Sequence, residues 1–184
     1  MRIRCCDIVL SVIGLLFGLP LLLLITLLGF LDTGSPIFIQ ERVGRKCRPF
    51  KLIKFRTMPL STQSVATHLV QSSSITWLGS LLRRTKLDEL PQLINVLKGE
   101  MSLVGPRPCL FNQIDLIAAR KKLGVFDVRP GITGLAQIND IDMSTPERLA
   151  DWDHRMIQSL SLRNYFSYIF QTLSGKGSGD RVRS

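Results

Sequence analysis

A chain of 184 residues has room for one ordinary domain and an appendage, because domains run to about 100–200 residues. Its 24 Lys and Arg against 14 Asp and Glu give a formal charge of +10, yet 45% of its residues are hydrophobic. That combination excludes a disordered polycation and points to a basic protein at a membrane. Four cysteines without CxxC spacing (Cys5, Cys6, Cys47, Cys109) and two histidines (His68, His154) argue against a zinc knuckle, a disulfide framework or a His-rich metal site, and favour a reducing compartment.

Between Asp7 and Asp32 no residue is charged, a run long enough to cross a hydrocarbon core of roughly 30 Å. It exceeds the apolar region of a signal peptide and lacks a closing A-x-A, so it is expected to stay on the mature protein. Arg2 and Arg4 precede the run, and Arg42, Arg45, Lys46, Arg48, Lys51, Lys54 and Arg56 follow it. Both flanks therefore ask to be cytoplasmic. Pro20, near the middle, removes a backbone donor and can kink the helix so that it enters and leaves by one face, each arm reaching roughly 18 Å. A straight span that tolerates its proline is the equal alternative. Cys5 and Cys6 are placed for acylation beside a membrane, though free thiols are the commoner outcome.

After the turn TGSP, IFIQERVG and PFKLIKFRTM alternate apolar and polar residues about Gly44–Pro49, the pattern of a β-hairpin. The Ser/Thr-rich stretch from Pro59 to Ser74 reads as a loop. Helices are expected over Ile75–Leu82, over Glu89–Lys98 with Pro91 in the first turn and Gly99 as the stop, and over Phe111–Leu123. MSLVGPRP suggests a short strand ending in a stiff turn, and VRPGITGLAQI further turns. Two amphipathic helices follow, one from Pro146 with Leu149, Trp152 and Met156 on its apolar face, the other carrying Leu162, Tyr165, Phe166, Ile169, Phe170 and Leu173. These late helices lie at a membrane interface or pack on the core, with core expected for most of them. The expected fold is thus α+β and mostly helical. Residues 1–32 are expected to form the membrane helix, 33–174 one α+β domain that holds the candidate catalytic residues below, and 175–184 a flexible tail.

The segment from Arg83 to Pro108, RRTKLDELPQLINVLKGEMSLVGPRP, places Asp88 and Glu89 side by side near a helix N-terminus, just after Arg83, Arg84 and Lys86. Ordinary capping explains acids there, and Thr85-x-x-Asp88 resembles a capping box. Capping does not explain the surrounding excess of cations. Arg107 is held between Pro106 and Pro108, and Arg129 precedes Pro130; stiff arginines suit bidentate phosphate recognition, although each can equally salt-bridge an acid. Two carboxylates among cations can hold Mg²⁺ with a diphosphate. No P-loop, GxGxxG or HExxH is present.

KFRTM (Lys54–Met58), LDELPQLINVLKGEMSLVGPRP (Leu87–Pro108) and VRPGITGLAQI (Val128–Ile138) resemble the bacterial sugar transferases, the monotopic phosphoglycosyl transferases, and the match extends over most of the chain. The resemblance implies a re-entrant N-terminal helix broken near Pro20, with the active site at the cytoplasmic face of the bacterial inner membrane. It implies transfer of a sugar 1-phosphate from a UDP-sugar to undecaprenyl phosphate with release of UMP, opening a glycan pathway. Asp88 falls on the family's nucleophile, which forms a covalent phospho-sugar intermediate, and Glu89 on its dyad partner. Mg²⁺ is the implied cofactor with Asp88 as ligand. Lys54, Arg56, Arg83, Arg107 and Arg129 fall on basic motif positions associated with substrate binding. By analogy alone the donor is an N-acetylated amino sugar, and a homodimer is open.

Three departures bear on sugar identity. Gln137-Ile138-Asn139-Asp140 lacks the arginine many members carry after this point, Tyr165 stands where members often have an Asp, and Leu19-Pro20 replaces a Ser-Pro break. The competing reading is a non-catalytic, membrane-anchored basic protein that binds anionic lipid. Nucleic-acid binding is disfavoured by 7% aromatic content and the lack of a recognition motif.

Overall fold

The computed structural model describes residues 2–62 and 75–177. The loop expected from Pro59, and any closure by Thr62–Ser74, therefore falls largely outside the described residues, as does the expected tail beyond Gly177.

The apolar run forms one helix, α1 (Arg2–Thr33), which contains Pro20 without being ended by it. The two arms expected on either side are halves of one helix, because a single missing donor leaves the remaining backbone bonds of so long a helix in place. Only one stripe of α1 is buried. Asp7 and Ser11, and again Ile25 and Gly29, face inward at the four-residue spacing of one helix face, and Gly14 abuts Leu93. Leu16, Phe17, Leu23, Leu27 and Leu31 are exposed on the other side.

Both ends of α1 are tied to the same body. At the N-terminal end, Arg4 donates to the carbonyls of Val96 (2.7 Å) and Leu97 (3.2 Å). Asp7 Oδ1 accepts from Ser102 Oγ (2.9 Å), Leu103 N (3.0 Å) and Tyr165 Oη (2.8 Å). At the other end, Thr76 Oγ1 donates to Asp32 Oδ2 (2.7 Å), and Ile25 joins Phe55, Leu78 and Leu82 in a small core.

The expected hairpin is present as β1 (Ile37–Val43) and β2 (Pro49–Phe55), antiparallel from Ile37↔Phe55 to Val43↔Pro49. Helix α2 (Trp77–Thr85) starts two residues later than the sequence suggests, because Thr76 is the N-cap, accepting from Gly79 N at 2.9 Å. Helix α3 (Gln92–Lys98) stops at Gly99, whose φ of +83° is the left-handed geometry that glycine tolerates. Asn95 on α3 clamps the hairpin: it accepts from Ile53 N (3.1 Å) and donates to Lys51 O (2.8 Å).

The expected strand is β3 (Ser102–Val104), and it pairs in parallel with β4 (Gly131–Thr133), so the GITG segment is a strand where turns were expected. Three residues are too few to show a period. Gly105 and Gly131 lie back to back where the two segments meet, and a Cβ on Gly131 would fall on the Gly105 backbone. Helix α4 (Ile114–Lys122) is followed by the short α5 (Leu135–Ile138), then α6 (Pro146–Ser159) and α7 (Leu162–Leu173). Leu149 and Met156 of α6 are buried as expected. On α7 the core expectation is corrected: Tyr165 and Tyr168 point in, while Phe166, Phe170 and Leu173 are exposed. The hydroxyl of Tyr165 has a buried partner in Asp7 that a phenylalanine ring could not use.

Tyr165→Phe is expected to lower unfolding stability by about 1 kcal/mol, whereas Asp7→Ala, which strips three buried donors of their acceptor, costs about 2–4 kcal/mol. Thermal unfolding in detergent, with Phe166→Leu on the exposed face as a control that stays near wild type, checks the ordering.

Candidate active site

Lys86 ends α2 with φ of +59°, a left-handed conformation uncommon for a side chain of this kind. It swings the chain so that Leu87–Glu89 forms a 3₁₀ turn between α2 and α3. The expected Thr85–Asp88 capping box does not form, because Thr85 Oγ1 instead donates to the carbonyls of Leu81 (2.8 Å) and Leu82 (3.1 Å). The turn lies against β2. Asp88 faces inward, 3% exposed, and Glu89 faces a cleft.

Four parts of the chain line that cleft. The hairpin contributes Arg42, Leu52 and Lys54, the turn and α3 contribute Glu89 and Gln92, the loop after β3 contributes Arg107 and Pro108, and β4 contributes Gly131 and Ile132. An Arg107 terminal nitrogen donates to Glu89 Oε1 at 2.8 Å. Arg42 is buried and reaches across to Pro108 O (3.1 Å) and to Gln40 Oε1 (2.6 Å). Lys54 lies with its Nζ 5.6 Å from the centroid of the Phe38 ring. Cations from the hairpin and from the loop after β3 thus line one cleft with a single carboxylate, Glu89, an arrangement that favours an anionic ligand.

Among the expected site residues, Lys54, Glu89 and Arg107 share the cleft, and Asp88 sits next to it in the turn. Arg83 lies close by in sequence and donates through Nε to Thr57 Oγ1 (2.9 Å). Arg56 turns to the base of the hairpin, donating to Ser35 O (2.8 Å) and Ile37 O (3.3 Å). Arg129 donates to Gly99 O (2.8 Å) and is not among the cleft-lining residues. Burial pulls the Lys86 ammonium down, Glu89 works against it and Arg107 adds to it; its Nζ donates to Lys176 O at 2.6 Å.

For a metal ion, the described residues contain no group of three His, Cys, Asp or Glu side chains. The acids at and beside the cleft are Glu89 and Asp88, the latter the ligand the resemblance implies. That suits Mg²⁺, which commonly takes one or two carboxylates and completes its shell with phosphate oxygens and water.

The family model described as bacterial sugar transferase matches residues 1–176. The chain belongs to the bacterial sugar transferase family. It is 36% identical over 184 residues to a UDP-galactose-lipid carrier transferase of Erwinia amylovora, covering 89% of this chain and 37% of that protein. It is 33% identical over 189 residues to an undecaprenyl-phosphate galactose phosphotransferase of Salmonella typhimurium, covering 92% and 39%. Against an exopolysaccharide production protein, ExoY, of Sinorhizobium fredii, identity is 34% over 191 residues, covering 92% and 83%. The chain therefore spans well under half the length of the first two of these relatives and most of the third.

Sequence reasoning missed two cleft residues of this bacterial sugar transferase, Arg42 and Gln92. A signal for Arg42 was available: the hairpin register pairs Gln40 with Leu52 and Phe38 with Lys54, so alternation sets Gln40, Arg42, Leu52 and Lys54 on one face. Gln92 had none, since a glutamine in the first turn of a helix is unremarkable. Arg107→Ala is expected to weaken UDP binding about tenfold, the loss of one charge-assisted pair. Titration calorimetry with UDP checks this, Lys46→Ala on the exposed hairpin turn leaving affinity unchanged.

Proposed function

We propose that this chain transfers a sugar 1-phosphate from a UDP-sugar to undecaprenyl phosphate, releasing UMP, as an early membrane step of bacterial glycan assembly. The observation that carries the reading is the cleft that Arg107, Arg42, Lys54 and Glu89 line together, with Arg107 paired to Glu89, beside Asp88, in a chain of the sugar transferase family. The names of the Erwinia and Salmonella relatives agree with a galactose-type donor; an Aeromonas hydrophila relative, 37% identical over 137 residues, is named for an N-acetylgalactosamine donor. An N-acetylated amino sugar is the donor we favour.

In this mechanism an Asp88 carboxylate oxygen bonds to the sugar-bearing phosphorus as the P–O bond to the other phosphate breaks, and UMP departs with that electron pair. A terminal phosphate oxygen of the polyprenyl acceptor then attacks the same phosphorus, which frees the Asp88 carboxylate and yields the polyprenyl diphosphate sugar. Arg107 and Lys54 bind and orient the diphosphate. Glu89 holds the Arg107 guanidinium and takes part in proton handling. With Asp88 at 3% exposure, attack requires the floor between β2 and the Leu87–Glu89 turn to part as the donor enters. Asp88, with the donor's phosphate oxygens, would hold Mg²⁺, which when bound offsets negative charge on the diphosphate.

The helix α1 is proposed to lie in the cytoplasmic leaflet of the inner membrane, entering and leaving by one face, with the cleft at the cytoplasmic surface. Hydrogen bonds from Asp7 at one end and Asp32 at the other to a single body support this over a perpendicular span. A spanning helix would hold its two ends roughly 30 Å apart on opposite sides of the hydrocarbon core.

Purified protein with Mg²⁺, undecaprenyl phosphate and a panel of UDP-hexoses and UDP-N-acetylhexosamines is expected to release UMP with at least one donor, and Asp88→Asn to lower the rate by at least about 10³-fold. UMP release undiminished in Asp88→Asn, or none from any donor, contradicts the reaction. For topology, Cys5 and a Ser35→Cys variant, each as the sole cysteine, are expected to react with an impermeant maleimide in inverted membrane vesicles and not in spheroplasts; opposite labelling of the two identifies a spanning helix.

A further inference from the structure

Arg120 on α4 and Asp153 on α6 form an ion pair in which both side chains are 1% exposed. Arg120 donates twice to Asp153 Oδ2, from Nε at 2.9 Å and from a terminal nitrogen at 2.6 Å. Its other terminal nitrogen does something a purely structural pair has no need of: it donates to the backbone carbonyl of Arg107 at 2.8 Å. That carbonyl belongs to the residue whose guanidinium meets Glu89 in the cleft. Arg107 stands between two prolines, which lack amide hydrogens, so the Arg107 carbonyl is a principal point at which the Pro106–Pro108 turn can be gripped from behind. A second hollow, lined by Arg120, Arg107, Val125 and Phe126 among others, lies behind the turn. The wall there is otherwise apolar, so the charge-assisted bond from Arg120 grips the turn from behind, while Gly131 N donates to Pro106 O (2.9 Å) and Arg42 to Pro108 O (3.1 Å) at the two prolines.

Burial on this scale is a costly way to gain stability. A buried ion pair can commonly be replaced by apolar residues of similar volume with no loss of stability, whereas removing one partner is strongly destabilising. Geometry of a neighbouring site is a sufficient reason to keep such a pair. Resting on the reaction proposed above, we propose that Arg120 and Asp153 are positioning residues for that reaction, fixing the Pro106–Pro108 turn through the Arg107 carbonyl so that the Arg107 guanidinium is presented to Glu89 and the donor diphosphate. Asp153 holds the Arg120 guanidinium in the plane that leaves its third group aimed at the turn. The pair does not touch substrate.

The test uses the paired apolar replacement Arg120→Met/Asp153→Leu, which leaves no buried charge behind, with Asp153→Asn as a second variant that keeps the side-chain shape. The paired replacement is expected to unfold within a few degrees of wild type, whereas Asp153→Asn, which leaves the Arg120 charge without its counter-ion, is expected to be less stable; both are expected to lose about tenfold or more in kcat/KM for the UDP-sugar, measured as UMP release. In an Arg107→Ala background the paired replacement is expected to cost less than about twofold, because the guanidinium it positions is already gone. Full activity in the folded paired variant, or an equal loss with and without Arg107, overturns the proposal. A readout independent of turnover separates this from a failure of the reaction itself: the ¹⁵N–¹H guanidinium signals of Arg107, assigned by Arg107→Lys, are expected to exchange faster with water in the paired variant. Unchanged exchange overturns the positioning role, whereas faster exchange in a protein that releases no UMP from any donor upholds the grip on Arg107 and removes the reaction.

Discussion

Taking a carboxyl group out of water is costly unless donors surround it, and this fold does so at Asp7, Asp88 and Asp153, each no more than 3% exposed. Asp7 joins the apolar helix to β3 and α7. Asp153, pushed up by burial while Arg120 works against that shift, joins α6 to α4 and, through Arg120, to the loop that carries Arg107. Asp88 sits in the turn between α2 and α3. Asp7 and Asp153 together tie α1, the late helices and the loop that carries Arg107 into one body, so the place of the cleft relative to α1 is set by side-chain hydrogen bonds as well as by apolar packing.

The two small sheets are too short to organise a domain alone, each having two strands. Their work is local. The hairpin brings Arg42 and Lys54 to the cleft, clamped by Asn95, while β3 and β4 bring the Pro106–Pro108 turn alongside Gly131. The back-to-back contact of Gly105 and Gly131 lets the chain approach more closely than side chains would allow. The left-handed Lys86 does the equivalent for the dyad, turning the chain sharply enough for Asp88 to face inward while Glu89 faces the cleft. On the other side, the exposed Leu and Phe residues of α1 and the exposed Phe170 and Leu173 of α7 leave an apolar surface suited to lipid.

Much of this was legible in the sequence wherever the signal was local. Alternation marked the hairpin, Gly99 marked the end of α3, and the Pro-Arg-Pro run marked a stiff turn. The dyad stood out through its neighbours and its resemblance to a family motif rather than through any period. What escaped depends on partners distant in the chain. Tyr165 is buried and Phe166 exposed because the tyrosine hydroxyl meets Asp7 across 158 positions. The β3–β4 pairing rests on three residues each side, below the length at which a period shows. Arg129 and Arg56, which fall on motif positions as Arg107 does, find backbone carbonyls outside the cleft, a choice made by tertiary packing.

In the proposed reaction it is Asp88, and not Glu89, that carries the phospho-sugar. The most direct measurement is mass spectrometry of the intact protein after incubation with Mg²⁺ and UDP-sugar in the absence of acceptor, followed by peptide mapping at low pH. The account predicts a mass increase equal to one sugar phosphate, mapped to Asp88, which disappears on adding undecaprenyl phosphate. An adduct mapped to Glu89, or UMP production that occurs only with acceptor present and leaves no adduct, would contradict it.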